Sequence, residues 1–249
     1  MVYYERNPYF TTVGKEIENA KIKYITYKVV ETDQIINALT NGDIDFGDPS
    51  ATVDNQDAID EANRTKNAGI TYAKIKTNGY GYVGINPRFV PSIEVRRAIM
   101  KAMDTQTIIN NYYRGGFAEL INRPMSTTSW AYPKGVTTYT SENGTDYALD
   151  KTGSEIEKLV QDAGYTKNGN GVYEKTIEGF GTDTLNYTFT IAGGSNDHPA
   201  YKMFLDAKEI LNAHGFDVKV VCSQTALSDL SNGKLAVWAA AWSSTIDPD

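Results

Sequence analysis

A tryptophan followed by three hydroxyl residues and then an acid, Trp242-Ser243-Ser244-Thr245-Ile246-Asp247, is the run in this 249-residue chain best equipped to hold a small molecule. The indole can stack on a ligand while the hydroxyls and carboxylate hydrogen-bond it. An equally open reading makes Trp242 the anchor of the strand before it, with Asp247-Pro248 starting a turn. Other reactive types are sparse. The two histidines, His198 and His214, sit at opposite ends of one predicted helix, about 24 Å apart along its axis, too far to share a metal or a proton. His214 stands beside Gly215, where a cation suits the helix dipole. The single cysteine, Cys222, ends an apolar strand and reads as a packed thiol; alone it forms no intramolecular disulfide. Asp43, Asp45 and Asp48 miss the spacing of a calcium loop, and Gly179-Phe180-Gly181 lacks the helix that a phosphate cradle requires. A hydrolase working through acids of the Trp130 loop and of residues 242–249 is the competing chemistry. Against it stands the lack of paired carboxylates at a defensible spacing, or of a histidine near a serine nucleophile.

Tyrosine dominates the aromatics, with 17 against 8 Phe and 3 Trp. Its ring and hydroxyl suit wet clefts, so Tyr80 and Tyr82 join the ligand-binding candidates, although half-buried strands favour tyrosine as well. Trp130 is a further candidate because residues 122–146 read as a long loop rich in Thr, Ser, Pro and Gly, and such loops are often functional. A net charge of −7 argues against nucleic acid and against docking on an anionic membrane. No run approaches the ~20 apolar residues of a membrane span. The first residues, MVYYERNPYF, do not form a signal peptide.

The elements that must position these residues follow from periodicity. Residues 22–30 alternate as a strand. A short helix capped at Thr32 or Asp33 carries Ile35, Ile36 and Leu39 and ends at Asn41-Gly42, and residues 43–46 form a second strand. Residues 21–47 therefore read as β-α-β with parallel pairing. A polar helix is predicted over 55–68, then strands over 70–77 and 80–85 joined by a hairpin at Asn78-Gly79. Val95, Ala98, Ile99, Ala102 and Met103 mark one apolar helix face, and Asp104 can cap the next helix. Ser154-Glu155-Ile156-Glu157 reads as a capping box, and Gly164 closes that helix. From residue 184 strands over 185–192, 216–222 and 235–242 alternate with helices, the first opened by Pro199. That order predicts a mainly parallel sheet covered on both faces. Trp242 falls at a carboxyl strand end, where open α/β sheets bind ligands.

Five segments together resemble the extracellular solute-binding proteins of peptide ABC transporters (family 5). They are YYERNPYF, IKYITYKVVETDQIINALTNGDIDFG, YVGINPRFVPSIEVRRAIMKAMDTQTI, LVQDAGY and AVWAAAWSSTIDPD. The third matches the family's run through Asn86, Pro91, Val95, Arg96, Ala98, Ala102 and Asp104. The resemblance implies an α/β, periplasmic-binding-protein-like fold (type II, cluster C), here an internal fragment with a mixed, mainly parallel sheet flanked by helices. Residues 1–84 would be an incomplete segment of lobe I, exposing an unpaired edge and an apolar face. Residues 85–249 would be lobe II, truncated at its C-terminal end.

The implied function is binding, not catalysis: an oligopeptide held between two lobes by hinge closure and delivered to an ABC-transporter permease. No cofactor, metal or nucleic acid is expected. The protein would be extracellular or periplasmic, its missing N-terminus carrying the signal segment and a lipid anchor. Relatives binding oligosaccharides or nickel complexes keep the ligand open, and a pure adhesin or receptor module is a further alternative. The implied ligand contacts are Trp242, Ser243, Ser244, Thr245 and Asp247, with Tyr80, Tyr82 and Trp130. Where the family often places an acid for the peptide amine this chain has Thr245, and no arginine follows Arg123. Recognition by backbone and bulk rather than by terminal charge is therefore expected.

Overall fold

A computed structural model describes residues 1–10, 13–14, 20–113, 116–121, 123–133, 149–193 and 198–243. The chain divides into two compact units, Met1–Ala73 and Lys74–Asp249. Among the described residues no helix is long and apolar enough to cross a membrane.

In the first unit, β1 (Val2–Glu5) pairs antiparallel with β2 (Tyr24–Tyr27), Val2 opposite Tyr27 and Glu5 opposite Tyr24. Every residue of both strands is exposed. A single 3₁₀ turn, Thr32–Gln34, leads into α1 (Ile35–Thr40) without a side-chain cap, so neither Thr32 nor Asp33 plays the expected part. Asn41-Gly42 does end α1. With Gly42 at φ 74°, its N–H bonds Leu39 O at 3.1 Å and the Asp43 N–H bonds Ala38 O at 2.8 Å, the Schellman arrangement. The expected β-α-β does not form. The Asp43 amide is consumed in closing the helix, residues 43–46 form no strand, and the partner of β2 is the antiparallel β1.

The polar helix is present as α2 (Val53–Lys66), its first turn capped by Thr52 Oγ1, which accepts from Asn55 N at 3.3 Å. The expected strand over 70–77, and with it the hairpin at Asn78-Gly79, is absent. At its start the Asn63 amide takes both backbone groups of Ile70, each bond 2.8 Å, so that residue has nothing left for a ladder.

The second unit holds a four-stranded sheet in the order β3-β9-β7-β8, from β3 (Gly79–Ile85), β7 (Asn186–Ala192), β8 (Asp217–Ser223) and β9 (Val237–Ser243). Strand β7 runs parallel to β8 and β9, while β3 runs antiparallel to β9. That pairing places Tyr80 and Tyr82, expected with residues 1–84, in the second unit's sheet.

Phe189, Ile191, Val237 and Ala239 share one core with three helices. Helix α3 (Ile93–Lys101) contributes Val95, Ala98 and Ile99. Then α4 (Thr105–Tyr112) begins at Asp104, which accepts from Thr107 N at 3.0 Å as the sequence predicts. Helix α5 (Ser154–Asp162) adds Ile156 and Val160, and α6 (Pro199–Ala213) adds Met203, Phe204, Ala207 and Leu211, with the Phe204 ring 5.2 Å from that of Phe189. The short α7 (Ala226–Ser231) precedes β9. Coverage of both sheet faces is not complete: Thr188, Lys219 and Val221, neighbours in the ladder on the face away from Phe189, are exposed.

A three-stranded antiparallel sheet, β4 (Thr166–Lys167), β5 (Tyr173–Ile177) and β6 (Gly181–Thr184), adjoins through the buried Asp183. Its carboxylate accepts from Tyr165 at 2.6 Å and from Tyr187 at 2.8 Å. Burial, reinforced by that carboxylate, pushes both phenols well above the usual tyrosine range.

The capping box is replaced. Ser154 is already helical, and Asp150 accepts from the N–H groups of Gly153, Glu155 and Ile156 at 3.0, 2.8 and 3.1 Å. Burial alone would raise the Asp150 pKa, but bonds from Thr152 and those three amides outweigh it and hold it low. Glu157 is thereby free to bind across the fold. It meets Lys167 at 3.0 Å, the Tyr173 hydroxyl at 2.8 Å and His214 Nδ1 at 3.2 Å. Those partners, Lys167 first, lower its carboxyl to about 2 against a modest opposing effect of burial.

Both histidines close the ends of α6. His198 Nδ1 accepts from Ala200 N at 3.1 Å, and burial lowers its pKa, favouring the neutral ring that can accept; His214 occupies the C-cap position.

Candidate functional site

Four of the residues expected to touch ligand, Tyr80, Tyr82, Trp242 and Ser243, lie on the paired strands β3 and β9. Tyr80 lies opposite Trp242, Tyr82 opposite Ala240 and Gly84 opposite Trp238. Directly paired residues share a face, so these six occupy one side of the ladder, while Val83, Ala239, Ile85 and Val237 turn to the core on the other. The Tyr80 and Tyr82 rings are 6.0 Å apart and tilted by 55°. Trp242 is 60% exposed at the carboxyl end of β9, and Ser243 beside it is exposed. Neither strand contains a charged residue. The result is an aromatic, uncharged ledge that can stack on planar or apolar groups and offers phenol hydroxyls for hydrogen bonds.

Trp130 is 75% exposed on a segment tied to the start of β3. The buried Ser126 hydroxyl donates to Thr77 O at 2.8 Å, and the Thr128 hydroxyl donates to Asn78 Oδ1 at 2.6 Å. Lys76 pairs with Glu119 at 3.3 Å, and Glu119 also accepts from the Thr127 hydroxyl. These bonds, Thr127 first, hold the Glu119 pKa below its ordinary value. Gly79, next along β3, pairs with Ser243, so the Trp130 segment is fastened at the ledge's outer end. Ser244, Thr245 and Asp247 lie outside the described residues.

A cleft of about 660 Å³ opens elsewhere, lined by Phe89, Phe180, Thr184, Thr188, Thr190 and Lys234 among others, and by none of the ledge residues. It sits at the beginning of β7 and just before β9, the opposite end of the sheet from Trp242. No group of three or more His, Cys, Asp or Glu side chains is placed to hold a metal among the described residues.

The motif residues that carry the family resemblance do framework work. Asn86 N donates to Ala236 O at 2.8 Å, prolonging the β3–β9 ladder, and its side chain accepts from Arg88 N at 2.9 Å. The Arg96 guanidinium donates to the carbonyls of Val90 and Pro91, both at 2.8 Å, fixing the turn into α3. Two participants in the ledge were missed by sequence reasoning. Trp238 stands four residues before Trp242, an even spacing that puts both on one strand face, and this was a usable signal. Gly84 carries none, because only the register between strands far apart in the chain brings it under Trp238.

This architecture is the periplasmic-binding-protein-like α/β fold. The model of the bacterial extracellular solute-binding proteins, family 5, middle region, matches residues 1–249, and the chain belongs to that family. The oligopeptide-binding protein AppA of Bacillus subtilis, solved with a nonapeptide, is similar with a TM-score of 0.65 at 22% identity, over 91% of this chain and 42% of that one. An oligopeptide-binding protein of Thermus thermophilus, solved with a pentapeptide, gives 0.65 at 16% identity, over 99% and 42%. NikZ of Campylobacter jejuni, solved with Ni(L-His), gives 0.63 at 23% identity, over 94% and 42%. The chain thus spans less than half the length of these solved relatives. No curated protein sequence matches it.

Proposed function

We propose that the full-length protein is the substrate-binding component of an ABC transporter that imports oligopeptides, working outside the cytoplasm. It closes two lobes about a hinge on its ligand and delivers that ligand to a membrane permease. The first unit contributes to lobe I and the second unit, with β3 in its sheet, to lobe II, so the boundary falls ahead of Tyr80 rather than after residue 84, with a lipid anchor or free diffusion in the periplasm completing the arrangement. Trp242, Ser243, Ser244, Thr245, Asp247, Tyr80, Tyr82 and Trp130 are the ligand contacts.

The observation that carries this reading is the uncharged ledge of Tyr80, Tyr82 and Trp242 in a chain of this family, two of whose solved relatives hold peptides. Extended peptide backbone needs stacking surface and hydrogen-bond partners more than fixed charge, and the ledge offers both. Mass spectrometry of ligand co-purifying with the full-length protein tests it. Peptides in the wild type and their loss in Trp242→Ala, with an unchanged melting temperature, are expected; a co-purifying sugar or nickel complex in place of peptide would overturn the oligopeptide assignment.

A further inference from the structure

The ledge does not end at Tyr82. The Trp238 indole packs against Gly84, so close that a Cβ on that glycine would fall 2.3 Å from its Cε2 and Cζ2 atoms. Trp238 Nε1 points its N–H to the Tyr82 hydroxyl at 3.4 Å. Gly84 has no left-handed backbone angle to satisfy, so its missing side chain is needed here for room rather than for conformation. The indole is half-buried on the face turned away from Phe189 and Val237, where the core makes no demand for it. Beside it on β7 stands Thr190, paired with Trp238 in the parallel register.

We infer that Trp238, seated on Gly84 and oriented by Tyr82, is a specificity-determining residue that receives a neutral apolar or aromatic side chain of the bound peptide. The inference rests on the proposed peptide-binding function. Strands β3 and β9 bring no charge to this face, and Lys219 on the same face stands two strands away on β8, so a carboxylate or ammonium arriving at Trp238 would lose water and gain no adjacent ion pair from these strands. A flat, uncharged side chain loses little water and gains an aromatic surface with a fixed orientation. The bland reading of the same geometry is cross-strand cover of a weak glycine position, which would bear on stability and leave ligand choice alone.

The test uses the full-length protein and host pentapeptides of alanine in which one residue, moved through every position, is Phe, Leu, Asp or Lys, with affinities from calorimetry. The wild type should bind the Phe and Leu peptides about tenfold more tightly than the Asp and Lys peptides at one position. Trp238→Ala should erase that preference while leaving the all-alanine parent within about twofold. Gly84→Ala, which displaces the indole without removing it, should do the same. In full-length protein labelled with fluorotryptophan, the fluorine resonance that Trp238→Phe removes should shift when the Phe peptide saturates the protein. Binding with no preference between neutral and charged residues would overturn the inference alone. So would a preference that survives both substitutions while only the melting temperature falls, or an unmoved Trp238 resonance. Failure of every peptide to bind would overturn the proposed function and this inference with it.

Discussion

Strands β1 and β2 and strands β7 and β9 are built from the same kinds of residue, yet their fates differ. Every residue of VYYE and YITY is exposed, whereas Phe189, Ile191, Val237 and Ala239 are buried. Within the first unit only Ala38, Ile59 and Ala62 are buried apolar residues among those described, and all three belong to helices α1 and α2. Apolar content therefore makes a strand possible but does not bury it; a helix face of matching shape must lie across it. In the second unit α6 supplies that face, and the Phe189–Phe204 contact marks its centre. The β1–β2 ribbon is held by its own pairing and by the Tyr4–Tyr27 ring contact at 5.6 Å, and a two-stranded ribbon by itself is marginal in water.

The sharpest way to break this contrast is Phe204→Ala. Emptying that fully enclosed site should cost about 3–5 kcal/mol, read as a large drop in the denaturation midpoint; a loss under about 1 kcal/mol would mean that the second unit is not organised around this core. Next in size, Asp150→Ala removes one carboxylate that serves three amides of α5. It should cost about 1–2 kcal/mol, and Ser154→Ala much less. The reverse order would restore the capping box.

Glu157→Gln is smaller, at most about 1 kcal/mol at neutral pH for a partly exposed pair, and its signature lies in the pH profile. The folded carboxyl titrates at about 2, below its ordinary value of 4.5. Its contribution is thus complete above 4.5 and disappears as pH falls from there through 2. The variant should flatten that stretch of the acid limb, and an acid limb parallel to the wild type's would remove Glu157 from the account. Smallest of all, Tyr27→Ala should move stability by no more than about 0.5 kcal/mol, and amides of β1 and β2 should exchange far faster than those of β7. Slow exchange in β2 would show that the ribbon is covered after all.

Much of the second unit was legible because its signals are local. The apolar face of α3, the Asp104 cap, Pro199 opening α6 and the alternation after residue 184 each lie within one element. In the first unit local signals misled. The Asp43 amide went to a helix end, and Ile70 went to the Asn63 side chain, because a nearby partner closes at less entropic cost than a distant strand. The Glu157 cluster was hidden for the opposite reason, since α5, β4, β5 and α6 must all be in place before it exists.

By itself the sequence determined the family, the helix faces, the uncharged aromatic character of residues 79–85 and 237–243, and the scarcity of catalytic side chains. These depend on residue type and short spacing, which no folding event alters. Tertiary structure alone decided that β3 runs antiparallel to β9, that Tyr80 meets Trp242, and that Gly84 makes room for Trp238. A strand's neighbours and register are set by the side chains that its other face must bury, and for β3 that burial partner lies at the far end of the chain.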